Sequence, residues 1–236
     1  MIRRMIDPEA VSSEVGPGSR TEDASMHGHR ALSGVAGGRG RAAISVARLA
    51  LGLAVALPVA ACGSRPVPTY NLTAPSGFSA RAGGSGQLVV PAPTALAVLN
   101  TDKIVVLPGD GQVAYLGDAQ WSDSLPALVQ ARTIQAFENA SLLRRVARPG
   151  DAVVADYQLN IDIRTFALRI TPEGPQAVVE LAAKLINSRS GRIMAGQIFK
   201  STVPAASADG SVAAAALDQA SDQVLVEMVR WASGRF

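Results

Sequence analysis

With 236 residues, 48% of them hydrophobic, 4% aromatic and 17% charged, the chain is too apolar for a disordered tail and long enough for one domain plus a leader. Its positive mean hydropathy comes mainly from one block, residues 42–61, so it does not describe a multispan membrane protein. The formal charge of +3 shrinks once residues 1–61 are set aside. Seven basic and five acidic side chains go with them, leaving 15 against 14, which offers a nucleic acid little attraction.

Arginines punctuate the leader up to Arg48, and an uncharged stretch then runs from Leu49 through Ala61, broken only by Pro58. A basic region, a short apolar region and small residues at Ala60 and Ala61 are the three parts of a secretory signal. Thirteen residues fall well short of the roughly 20 needed to span a bilayer as a helix. Cys62, the chain's only cysteine, follows directly and turns that signal into a lipobox. Its thiol can take a diacylglyceryl thioether, and the amine freed by cleavage can then be acylated, so several chains anchor where one binds only marginally. Gly63 and Ser64 lack the aspartate of an inner-membrane retention signal in enteric bacteria, so the expected destination is the outer membrane, with the domain in the periplasm. Residues 1–38 are longer and more mixed in charge than a usual n-region, which makes Met26 a candidate start.

Residues 62–86 are rich in Pro, Gly, Ser and Ala, with Tyr70, Leu72 and Phe78 as isolated apolar points, and read as a lipidated tether that docks only briefly. The ordered domain is expected over 87–236. Leu88–Val90 and Ala95–Leu99 are short apolar segments, Lys103–Leu107 is a strand, and Pro108–Gly111 is a turn into a second arm, Gln112–Leu116. Ser124 is placed to N-cap a helix running to about Ala140, with Pro126 in its first turn and Ala127, Ala131, Ile134 and Phe137 on its packed face. Strict alternation over 156–164 predicts a half-buried strand, and the parity slip before Phe166 calls for a bulge near Thr165. Two further strands, 176–186 and 192–203, are joined by a turn at 187–191. A last helix, about 208–233, carries Ala213, Leu217, Ala220, Val224, Met228 and Trp231 on one face, with Asp218, Asp222, Glu227 and Arg230 largely on another. The expected fold is α+β: a mixed, mainly antiparallel sheet covered by two helices, in the order β-α-β-β-β-α after short N-terminal strands.

Both histidines, His27 and His29, lie in the leader. Behind Cys62 the chain can therefore build no Ser-His-Asp or Cys-His arrangement, no histidine proton shuttle and no zinc site of the usual type, so neither an enzyme nor a bound cofactor or metal is expected. Asp110, Asp118 and Asp123 cluster in sequence near Trp121, which leaves open a weak cation site or, as the one enzymatic alternative, a carboxylate pair acting on envelope sugars. Aspartates of turns and caps are the blander reading. Arg144, Arg145 and Arg148 suit lipid headgroups or an acidic partner, and charges complementing the dipole at a helix C-terminus are the blander reading.

Several features in order, Val59-Ala-Ala-Cys62, Lys103-Ile-Val-Val-Leu-Pro108, Ala114-Tyr115 before Trp121, Ala155-Asp-Tyr157 before Phe166, Ser190-Gly-Arg192 and Trp231-Ala232, resemble the ABC-type transport auxiliary lipoproteins, which include the paraquat-inducible C-type lipoproteins. The resemblance covers about 87–233. It implies a non-catalytic periplasmic subunit that works with an MCE-type substrate-binding protein, a permease and an ATPase to move lipid between membranes, and it leaves room for a homo-oligomer. No site residue is carried over from it except Cys62. The alternative is a lipoprotein that assembles an outer-membrane machine such as a lipopolysaccharide translocon.

Overall fold

A computed structural model describes residues 66–81 and 85–236; the leader and Cys62, with the roles expected of them, lie outside the described residues. The elements are β1 (Thr69–Tyr70), β2 (Leu88–Val89), β3 (Thr94–Ala95), β4 (Lys103–Gly109), β5 (Gln112–Trp121), α1 (Leu125–Phe137), β6 (Val146–Ala147), β7 (Tyr157–Thr171), β8 (Gly174–Asn187), β9 (Ile193–Pro204) and α2 (Gly210–Ser233). The α+β class and the main element order agree with expectation.

The sheet is organised around β7. One edge of β7 pairs antiparallel with β8 along its whole length, and β9 continues the sheet beyond β8. Three short parallel segments tile the other edge: Leu88 meets Tyr157, Thr94 meets Asp162, and Val105 meets Ala167. Alternation explains why β7 sits centrally, since Leu159, Ile161 and Ile163 are buried on one face while Asn160, Asp162 and Arg164 stay exposed. The register with β8 slips between Ile163 and Thr165, where the bulge was expected. That extra residue returns Phe166 to the buried face, where its ring meets Trp121 edge-on at 5.9 Å and 83°.

α2 packs on β8 and β9. Leu217, Val224 and Met228 are fully buried, and Ala213 and Ala220 between them let the helix lie close to the sheet. Trp231, placed on the same face, is half-buried and meets Phe199 edge-on. The first turn of α2 is satisfied from a distance: Gly210 N donates to Asp118 Oδ2 at 2.9 Å, while Asp209 at the cap position makes no side-chain cap. A Cβ at Gly210 would stand 2.4 Å from Ala119 Cβ and 3.0 Å from Asp118 O. Gly210→Ala is therefore expected to cost about 2 kcal/mol in a denaturant titration, as overpacking outweighs alanine's better helix propensity.

Three expectations need correction. Ser124 makes no side-chain cap; its carbonyl accepts from Leu128 N, and its own amide donates to Asp123 Oδ1 at 2.6 Å. The predicted face of α1 holds at Ile134 and Phe137, which are buried, but Ala127 and Ala131 are only half-buried, and Leu125, Leu128, Val129 and Ala136 outside that face are buried as well. The helix has contacts on several sides, with Gln130 donating to Val90 O and Arg132 to Asn71 Oδ1, so a single apolar stripe does not describe it. It ends at Phe137, where a π turn at Glu138–Leu142 holds Ser141 at φ 74°.

The largest correction concerns the tether. Residues 66–81 are laid on the fold: β1 pairs parallel with β5, Leu72 is 1% exposed, and Thr73 donates its amide and hydroxyl to the two oxygens of Asp218 at 2.6 and 2.8 Å. Asn139 donates to Pro75 O, and Arg230 stacks over Phe78. The isolated apolar points Tyr70, Leu72 and Phe78 thus anchor a strap.

Candidate docking surfaces

On the sheet face away from the helices, Gln158, Asn160 and Asp162 of β7 lie beside Ala182 and Lys184 of β8. Arg164 reaches both Asp162 and Glu180 at 3.9 Å, and Lys200 of β9 reaches Glu180 at 3.5 Å. These pairs are largely exposed, so each adds well under about 1 kcal/mol, and their main effect is to set a mixed-charge pattern across three strands. Between this face and Pro91–Thr94 lies an open groove of about 410 Å³. Thr94 Oγ1 donates to Asp162 Oδ1 at 3.0 Å on its wall.

Among the described residues β9 pairs only with β8, so its outer edge is free. Ile193, Met194 and Ile198 on this strand are each more than half exposed. Val154 in the loop before β7 is 86% exposed, with Val153 beside it. That loop and the β8–β9 turn are tied together, because Ser188 N donates to Asp156 O and Arg189 pairs with Asp156 at 3.3 Å. One end of the domain therefore presents apolar side chains beside an unpaired strand edge, a combination that marks contact surfaces. The sequence signal is Ile198, whose parity is opposite to that of buried Phe199 and Val203.

The carboxylates read as a candidate cluster are kept apart. Asp110 sits in the β4–β5 turn at φ 50°, Asp118 satisfies α2, and Asp123 accepts from Ser124. No group of three His, Cys, Asp or Glu side chains capable of holding a metal occurs among the described residues. Arg144 and Arg145 form a 3₁₀ turn after the π turn, separate from α1, and Arg148 N donates to Asp151.

Among the described residues, the group with a perturbed proton affinity is Asp222 on α2, which residue patterns alone do not single out. Burial and the neighbouring Asp218 carboxylate push its pKa from 3.8 to about 6, against the lowering effect of the Thr73 hydroxyl. Between those values the folded chain holds a proton that the unfolded chain releases, so stability falls as pH rises through the window. Asp222→Asn should be more stable than the parent at pH 7 and equal to it below about pH 4 in thermal unfolding. The full shift would correspond to about 3 kcal/mol, but the side chain is only half-buried, and solvent screening reduces the expected gain to about 1 kcal/mol.

Residues 70–229 match the family of ABC-type transport auxiliary lipoprotein components. The chain belongs to that family. Its match begins at Tyr70, the second residue of β1, so the strap from there on lies within the family's domain. An uncharacterized protein of Bradyrhizobium diazoefficiens is 34% identical over 165 residues, covering 69% of this chain and 44% of that protein, so the chain spans less than half of that relative's length. The crystal structure of a DUF330 protein from Xanthomonas campestris superposes with a TM-score of 0.67 at 31% identity, covering 72% of this chain and 97% of that one. A further uncharacterized protein, at 16% identity and a TM-score of 0.55, covers 70% and 98% and shares the fold. The family is one of lipoprotein components auxiliary to ABC-type transport. No helix among the described residues is long and apolar enough to cross a membrane.

Proposed function

We propose that the chain is a non-catalytic subunit of an MCE-type lipid transport system, held at the outer membrane by acyl chains on Cys62 and needing no other cofactor. The family match carries this reading. In it, a permease and an ATPase supply the energy, an MCE-type protein carries the lipid, and this domain holds that protein near the outer membrane. The apolar end formed by Ile193, Met194 and Val154 supports a docking role, since such side chains gain by leaving water against a partner. Dispersal of Asp110, Asp118 and Asp123 into separate local bonds is consistent with the non-catalytic reading. A photocrosslinking amino acid at Met194 is expected to capture the MCE-type protein in intact cells, while the same group at Pro172, in the β7–β8 turn, is not. Equal capture from both positions would remove this end as the docking surface.

A further inference from the structure

The β4–β5 hairpin stands out as a second exposed apolar feature. Its turn holds Gly109, Asp110 and Gly111 at φ of 119°, 50° and 73°, and Gln112 through Tyr115 are all exposed, Val113 at 50% and Tyr115 at 47%. Arg169 and Ile170 of β7 close a hollow behind the turn. Tyr115 lays its half-exposed ring on the surface with its hydroxyl donating to Val98 O at 3.4 Å, and Arg169 lies across β4 from it; an exposed valine and a tyrosyl ring with an arginine one strand away suit a lipid headgroup boundary, where a guanidinium meets phosphate. Asp110 and Asp118 lie on the same element, so the attraction does not come from net positive charge.

The covalent chain limits how far this hairpin can stand from Cys62. Pro66 and Gly117 line one hollow, together with Asp118 and the start of α2. Because β1 runs parallel to β5, with Thr69 opposite Gln120, the chain enters β1 from the side on which β5 leaves the hairpin. Cys62 is four residues before Pro66, and four residues span at most about 14 Å. Val113 is likewise four residues before Gly117, within the same reach. The strap fixes Pro66 against the domain through β1, Leu72 and Thr73, so the lipid anchor has little chain with which to stand away.

We propose that the β4–β5 hairpin is a second membrane contact, seating Val113 and Tyr115 on the lipid surface that holds Cys62. This rests on the anchoring of Cys62 proposed above. It orients the domain, since Val154, Ile193 and Met194 belong to the start of β7 and β9, at the other end of the sheet from the turn that begins β5. That end points away from the bilayer, toward periplasmic partners.

The test uses the acylated chain in vesicles of phosphatidylethanolamine and phosphatidylglycerol, with an environment-sensitive fluorophore on Val113→Cys or on Val154→Cys. Flotation with the vesicles reports the anchor, and quenching by lipids carrying a spin label reports contact. The expected result is flotation of both proteins, with several-fold stronger quenching at 113 than at 154. Inserting a flexible glycine-serine segment between Ser64 and Pro66 is expected to leave flotation intact and to weaken quenching at 113. Flotation with equal or no quenching at the two positions would overturn the hairpin contact while leaving the anchor standing. An acylated chain that fails to float would overturn the anchor, and the contact with it.

Discussion

Replacing Cys62 by alanine is expected to move the protein from the membrane to the soluble fraction while leaving its domain folded. Cys62 is the only cysteine in the chain, so no other thiol can accept the diacylglyceryl group. Each buried methylene of an acyl chain contributes about 0.8 kcal/mol, and one chain alone gives only reversible binding, so removing the whole set abolishes stable attachment. The core does not depend on this residue: β1 and all later elements begin at Thr69 or beyond. Unchanged circular dichroism and melting temperature, together with loss of acyl mass and of membrane fractionation, is the expected pattern. An acylated Cys62→Ala protein still in the outer membrane would refute the assignment.

Phe166→Ala is expected to cost about 4 kcal/mol, a large part of what holds a domain of this size folded. Phe166 is 1% exposed and Trp121 2% exposed, and their edge-on packing joins β7 to the end of β5 just before α1. Truncation leaves a cavity between elements that β-pairing prevents from closing. Phe166→Leu keeps most of the volume and should cost under about 1.5 kcal/mol. Denaturant midpoints at constant slope distinguish the two variants; a loss below about 1 kcal/mol for the alanine variant would mean that the ring does not pack as described.

The fold was legible where a single surface decides the pattern. β7, β8, β9 and α2 each bury one face, and their alternation and helical spacing mark them in the sequence. Even the bulge before Phe166 left a trace, as a parity slip. α1 is legible in place and in half of its packed face, Ile134 and Phe137, but not in the rest, since its neighbours include β6, α2 and the strap. β1, β2, β3 and β6 are two residues each, too short to carry a period, and exist because longer strands offer them partners. The strap was missed for a related reason. Its composition is that of a linker, and only long-range bonds such as Thr73 to Asp218, 145 residues apart, reveal it as part of the domain.

The candidate surfaces were less legible. With both histidines ahead of Cys62 and no second cysteine, the residues behind Cys62 offer no Ser-His-Asp, Cys-His or His/Cys zinc set. What remained, the exposed Ile193, Met194, Ile198, Val113 and Tyr115, cannot be told from core residues by type, because exposure depends on where a strand lies in the sheet. Asp222 likewise looks like any polar residue of α2 until the strap brings Thr73 beside Asp218.

The most direct measurement of the transport role is purification of the native protein from its own membranes by mild detergent, followed by identification of what accompanies it. An MCE-type protein, with permease and ATPase subunits of the same system, is the predicted company, and Met194→Glu should weaken it without releasing the lipid anchor. Recovery instead of a lipopolysaccharide translocon barrel, with no MCE or ABC subunit, would contradict the account.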